Sequence, residues 1–247
     1  MATTKTNNWP ITAERMITVM KLSYFKNRIT SDLSAHLELM ANVISIIKDI
    51  EKPVAIRVIQ DDEEHEDIRG SVVKGLICAD SIILISKDLS QGATLHFIGS
   101  IMRLQMSLLD LGVGIRGGLS TGMITADLED RAFFGEPVNE AYSIADSLQF
   151  YGVAEKHTEQ TLESMDSIRV FDSDSVPLFY PKFAPTSNGS ILCLIVNLSM
   201  AVNNEEDIDH IFGSIKPKLR EKKLNQFYSN TIKIYKEAYQ YTYGNRN

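Results

Sequence analysis

Cysteine is scarce: the 247 residues hold two, Cys78 and Cys193, far apart and each inside an apolar run. That excludes a disulfide framework or a CxxC metal knuckle and suits buried thiols in a reducing compartment, so the cytoplasm is the expected setting. The histidines, at 36, 65, 96, 157 and 210, share no H-x3-H or HExxH spacing, which argues against a zinc enzyme. No run approaches the roughly 18 apolar residues of a bilayer span, and MATTKTNNWPITAERM lacks the apolar core of a signal peptide, so no membrane partner is expected. Positive charge is the minority sign, 25 Lys and Arg against 32 Asp and Glu. Without a basic field to release counterions, no nucleic-acid partner is expected either.

What is present is an ordinary globular composition, 44% apolar and 23% charged, which sets aside a disordered or fibrous chain. The length fits one large domain, or one domain with an extension. β-Branched residues over 14–25 predict a first strand. Leu33, Leu37, Met40, Val43, Ile44 and Ile47 then recur at helical spacing, with Ser31 or Asp32 as cap. Strands are expected at 54–60, 71–79 and 81–86, with the acidic DDEEHED (61–67) as a solvated hairpin tip; it lacks the turn glycine of a calcium loop.

A helix over about 91–111, a strand at 113–126, a short strand near RAFF and a helix from GEPVNEAYSIADS come next. A Pro/Ser-rich loop (173–190), the strand ILCLIVN and a helical C-terminus broken at Lys216-Pro217 complete the chain. This order predicts an α+β fold, an antiparallel sheet carrying its helices on one face, with residues 1–203 as the domain and 204–247 as a helical extension packed on it. The stripe Leu224, Phe227, Tyr228, Ile232, Tyr235, Ala238, Tyr239 reads as the docking face of that extension. The basic residues Lys216, Lys218, Arg220, Lys222 and Lys223 read as a solvated helix start.

Three places carry chemistry. Asp80 sits in a tight connection between two apolar strands, where a carboxylate is either a turn residue or a magnesium ligand beside a phosphate. In GIRGGLSTG, Arg116 precedes two glycines that permit close backbone approach; it meets either a phosphate or an internal acid. In GEPVNEAYSIADS, Glu136 and Pro137 suit a first helical turn, so Asn139 projects from the helix start as donor and acceptor for a ribose, or as a plain surface residue. One turn later stands Ser143.

Strand-Asp80-strand, IRGGLSTG and FFGEPVNEAYSIADS followed by FYGVAE, in this order, resemble the class III nucleotide cyclase homology domain, nearest to the pyrimidine cyclases of bacterial anti-phage signalling. The resemblance covers about residues 14–200. It implies a palm-like sheet, head-to-tail dimers with sites at the interface, and two aspartates holding two Mg2+ or Mn2+ ions that activate a ribose hydroxyl and neutralise the triphosphate. GGDEF-type polymerases of a related fold are the weaker match, because no GG-[DE]-[DE]-F sequence occurs.

Carried over by position, the hairpin aspartate is Asp80 and the ribose asparagine Asn139, while Lys21 stands where the first-strand aspartate belongs and Ser143 where the transition-state arginine belongs. Leu76 and Ala132 occupy the purine-reading positions, and neither side chain forms a hydrogen bond. An ammonium repels a metal ion, and a lost charge donor costs several kcal/mol of barrier, so weak or absent metal binding and little or no cyclisation are expected. Lys21 is expected either to meet a triphosphate directly or to close on Asp80. The implied partners are a nucleoside triphosphate or cyclic nucleotide and a second copy of the chain. A pyrimidine nucleotide turned over by an unusual ligand set, and a protein partner such as an active cyclase subunit, are the alternatives.

Overall fold

A computed structural model describes residues 9–23, 33–60, 63–130, 132–156, 177–216 and 222–244. The proposed caps Ser31 and Asp32 lie outside the described residues, as does the break at Pro217. The chain begins β1 (Thr12–Leu22), α1 (Leu33–Ile50), a hairpin of β2 (Val54–Gln60) and β3 (Glu63–Gly70), β4 (Val73–Cys78), β5 (Ser81–Ser86), α2 (Gln91–Asp110) and β6 (Ile115–Asp127). Strands β4-β5-β1-β6 lie side by side, each antiparallel to the next. Leaving aside the β2–β3 hairpin, which forms its own two-stranded sheet, this is a βαββαβ unit with β1 central, a ferredoxin-like palm. The α+β fold expected from element order is therefore present.

The sheet continues through β8 (Gly152–Lys156), parallel to β6, then β10 (Gly189–Val196) and β9 (Phe179–Thr186), while β7 (Ala132–Phe134) pairs with β6. Alternation along β1 assigns the two faces. Met16, Met20 and Leu22 pack with Leu39, Val43 and Ile47 of α1 and Phe97, Ile101 and Leu104 of α2. Ile17 and Val19 point the other way, into a smaller cluster with Ile83, Ile85, Ile124 and Ala141 of α3 (Glu136–Ser147). Two long helices thus share one face, and α3 lies across the other.

A 3-10 turn (Leu198–Ala201), α4 (Glu206–Gly213) and α5 (Lys222–Tyr243) follow β10. Phe227, Ile234 and Tyr235 of α5 pack with Phe212 of α4, Ala154 of β8, Cys193 and Ile195 of β10, and Leu109 of α2. The stripe is buried at Phe227, Tyr235 and Ala238, with Tyr228, Ile232 and Tyr239 packed against the cluster that holds Phe227 and Tyr235.

Four local expectations are corrected. Residues 63–67 of the acidic run are not a hairpin tip but part of β3, with Arg57 opposite Glu66. A two-stranded ribbon off the main sheet needs no apolar alternation to pair. The Pro/Ser-rich stretch contains β9, whose Pro181 and Pro185 are tolerated because β9 ends the sheet order and no further strand needs their missing N–H groups; at Pro185 the outer edge only accepts, from Gln149 N–H at 2.9 Å. Leu37 and Ile44 are exposed rather than core-facing, since Leu39, Val43, Ile47 and Ile50 form the buried stripe of α1. Cys78 is exposed because it ends β4 at a turn, whereas Cys193 is buried.

Candidate functional site

The corner where β1, β5 and β6 meet the end of α3 gathers most of the charged candidates. Register pairs Lys21 with Ser81 on β5 and with Arg116 on β6, so two cations stand side by side on the α3 face. Lys21 Nζ forms an ion pair with Asp146 Oδ1 and lies 5.4 Å from the centre of the Tyr142 ring. Arg116 Nη1 donates to the carbonyl oxygens of Asp146 and Leu148, both at 3.4 Å, and its guanidinium lies 5.5 Å from the Phe227 ring. Both cations thus sit near the C-terminal end of α3, where the helix dipole favours positive charge.

Asp80 lies beside this corner. The preceding Ala79 takes φ 53°, the left-handed region usually left to glycine, so the turn is held in a conformation costing about 1 kcal/mol. The Asp80 carbonyl accepts from Leu22 N–H at 2.8 Å, and its Oδ1 from Ser81 Oγ at 3.4 Å. The expectation of Lys21 closing on Asp80 is not met: its carboxylate partner is Asp146. Tyr142 joins the two acids. Its hydroxyl is pushed up from the ordinary value by burial, with the negative charge of Cys78, Asp80 and Asp146 adding to this and a hydrogen bond with Ser81 opposing it.

Backbone geometry fixes how closely α3 lies on the sheet. Gly118 faces the Ala141 carbonyl with no room for a side chain, and Gly135, at φ 149°, is the N-cap. Glu140 Oε2 accepts from Ser120 Oγ at 2.7 Å, a second tie to β6. Nearby, Glu155 is buried in β8 and accepts from Thr121 Oγ1 at 3.3 Å. Burial lifts its carboxyl from 4.5 to about 7, Glu140 adds to the rise, and the Thr121 hydrogen bond opposes it.

Asn139 and Ser143 are exposed on α3. Asn139 precedes Asp146 by two helical turns, roughly 10 Å along the axis, so one chain does not bring Asn139 to the Lys21 corner. Leu76, half-buried, packs beside the cluster under α3, and Ala132 opens β7 opposite Asp127. One chain therefore unites Lys21, Asp80 and Arg116 and leaves Asn139 and Ser143 facing outward. Sequence reasoning missed Asp146 and Tyr142. Asp146 stands three residues after Ser143 and seven after Asn139, a spacing that marks one helix face.

The donor set at this corner does not fit two Mg2+ or Mn2+ ions. Asp80 is the carboxylate left over once Asp146 is paired, and an ammonium occupies the neighbouring position. Among the described residues, no three His, Cys, Asp or Glu side chains converge as metal ligands.

No family model and no curated protein matches the chain. Among solved structures, it is similar to a bacterial light-regulated adenylyl cyclase (TM-score 0.47, 14% identity, 88% of this chain and 59% of that one). It is similar also to the catalytic core of a rhodopsin-guanylyl cyclase with converted specificity in complex with ATPalphaS (0.44, 11%, 74% and 94%). A third is the adenylate/guanylate cyclase/hydrolase from Silicibacter pomeroyi (0.40, 14%, 75% and 96%).

Proposed function

We propose that this chain is a class III cyclase-like protein that holds a nucleoside triphosphate or cyclic nucleotide without cyclising it. The observation that carries the reading is the Lys21–Asp146 ion pair at the position where the family resemblance puts a metal-binding aspartate. Lys21 and Arg116 supply two adjacent positive charges for a polyphosphate in place of metal ions. The exposed Asn139 is available to orient the ribose in the site of a second copy, so the functional unit is a homodimer. Ser143 offers no charge to a transition-state phosphate, a loss that by itself costs about 3–4 kcal/mol of barrier.

The apolar Leu76 and Ala132 favour a second reading, in which the nucleotide is a pyrimidine and some turnover survives. The anti-phage setting belongs to the same resemblance. A protein partner in place of the second copy is the third.

The test is calorimetric titration of the purified chain with each of the four triphosphates, in EDTA and with Mg2+ or Mn2+, alongside mass spectrometry for cyclic products. Binding without added metal and no cyclic product is the expected result. Accumulation of a cyclic nucleotide that stops in Asp80→Ala establishes the active reading instead, and no binding of any nucleotide leaves the interaction-module reading. A monomeric mass in size-exclusion light scattering removes the homodimer.

A further inference from the structure

On the helix-covered side of the sheet, away from Lys21, an open cleft of about 450 Å³ lies between the end of α1, the start of β2 and one face of α2. That volume is in the range of small-molecule sites. Gly92, His96, Gly99 and Arg103 recur at spacings of four, three and four residues, so they form a single stripe of α2 along the cleft. Glycine is the poorest helix former after proline, yet two stand in this stripe. Gly99 is not there for packing: a β-carbon added to it meets nothing within 4 Å among the described residues. Gly99 keeps the floor of the cleft open.

The polar groups around that floor are partly unspent. His96 Nε2 is buried and has no hydrogen-bond partner among the described residues, whereas buried polar atoms are as a rule paired with protein or water. Arg103 Nη2 donates to Asp49 Oδ2 at 3.4 Å, and Lys52 Nζ approaches the other oxygen of the same carboxylate at 2.6 Å. Arg103 and Lys52 thus share one carboxylate. The Arg103 guanidinium has further N–H donors to offer. Ile50, Val54 and Leu95 make the remaining walls apolar.

We propose that this cleft binds a small organic acid, its carboxylate held by Arg103 and His96 and its apolar body laid over Gly99 against Ile50, Val54 and Leu95. The site is separate from the nucleotide corner and does not depend on that reading.

Octanoate is the probe, titrated into the full chain by calorimetry and followed by the ring-nitrogen NMR signals of the histidines, with octylammonium as the charge-reversed control. Saturable one-to-one binding of octanoate is expected, with the His96 signals shifting and octylammonium weaker by about tenfold or more. Gly99→Leu, which fills the open floor, and Arg103→Gln, which removes the charge, each weaken octanoate by about tenfold or more. Gly99→Ala serves as the folding control and melts no lower than the wild type. The proposal is overturned by absence of saturable octanoate binding up to roughly 10 mM, by equal binding of octylammonium, or by unchanged affinity in either variant.

Discussion

Lys21 on β1 and Asp146 near the end of α3 form an ion pair that ties the sheet to the helix laid across it. The Asp146 side chain is 62% exposed while that of Lys21 is only 20% exposed. A pair open to water on one side contributes roughly 0–1 kcal/mol, so it is a latch that a polyphosphate can displace. Asp146→Asn removes the competing carboxylate and is expected to tighten triphosphate binding in EDTA by about two- to fivefold, the equivalent of that energy. Lys21→Ala is expected to weaken it. Calorimetry on the two variants checks this, and identical affinities in both would remove Lys21 from the phosphate site.

Gly118 and Ala141 mark the closest approach of α3 to the sheet. Gly118→Ala places a carbon against the Ala141 carbonyl, a backbone atom that cannot turn aside, so α3 must lift. A loss of about 2–3 kcal/mol in denaturant unfolding is expected, typical of overpacking. Gly213→Ala, whose added carbon meets nothing, is the control. Equal stability of the two variants would mean that α3 sits on the sheet more loosely than this contact requires.

The sequence shows the palm because its strands are β-branched and its helices keep their period. β1, β5 and α2 lie where Ile17, Val19, Ile82–Ile85 and the apolar positions of 91–111 put them. The failures are equally local. Pro181 and Pro185 hide an edge strand, since nothing in composition says which strand has a free edge. In β3, pairing alone makes the acidic residues a strand. At the site, Lys21 and Ser143 stand out only against a family pattern. The Lys21 partner escapes because Asp146 is 125 residues away and reaches it through the fold rather than through any spacing.

Gln105 of α2 and Tyr235 of α5 meet in the interior, the amide donating to the phenolic oxygen at 3.2 Å. Tyr235→Phe removes the acceptor and leaves a buried amide unsatisfied, at a cost of about 1–3 kcal/mol. Adding Gln105→Leu removes the stranded group, so the double variant is expected to recover part of the loss. Urea unfolding of the two single variants and the double variant measures the coupling. Additive effects would show that this hydrogen bond does not help to hold α5.

Glu155 makes stability depend on pH in a direction opposite to that of a salt-bridged acid. Its folded-state carboxyl titrates near 7 rather than 4.5, so between those values the native chain keeps a proton that the unfolded chain has released. Stability is fully present below about 4.5, falls as pH rises toward about 7, and is flat beyond. At roughly 1.4 kcal/mol per pH unit, the loss reaches about 3 kcal/mol at pH 8. Glu155→Gln keeps the neutral form at every pH, and its amide can still take part in the Thr121 hydrogen bond. The variant is therefore expected to match the wild type near pH 4 and to exceed it progressively above pH 5, by an amount of that order at pH 8. Urea unfolding across this range gives the difference directly. A constant offset between the two proteins would place the Glu155 proton elsewhere, whereas a widening gap identifies the buried Glu155 carboxylate of β8 as the group that titrates.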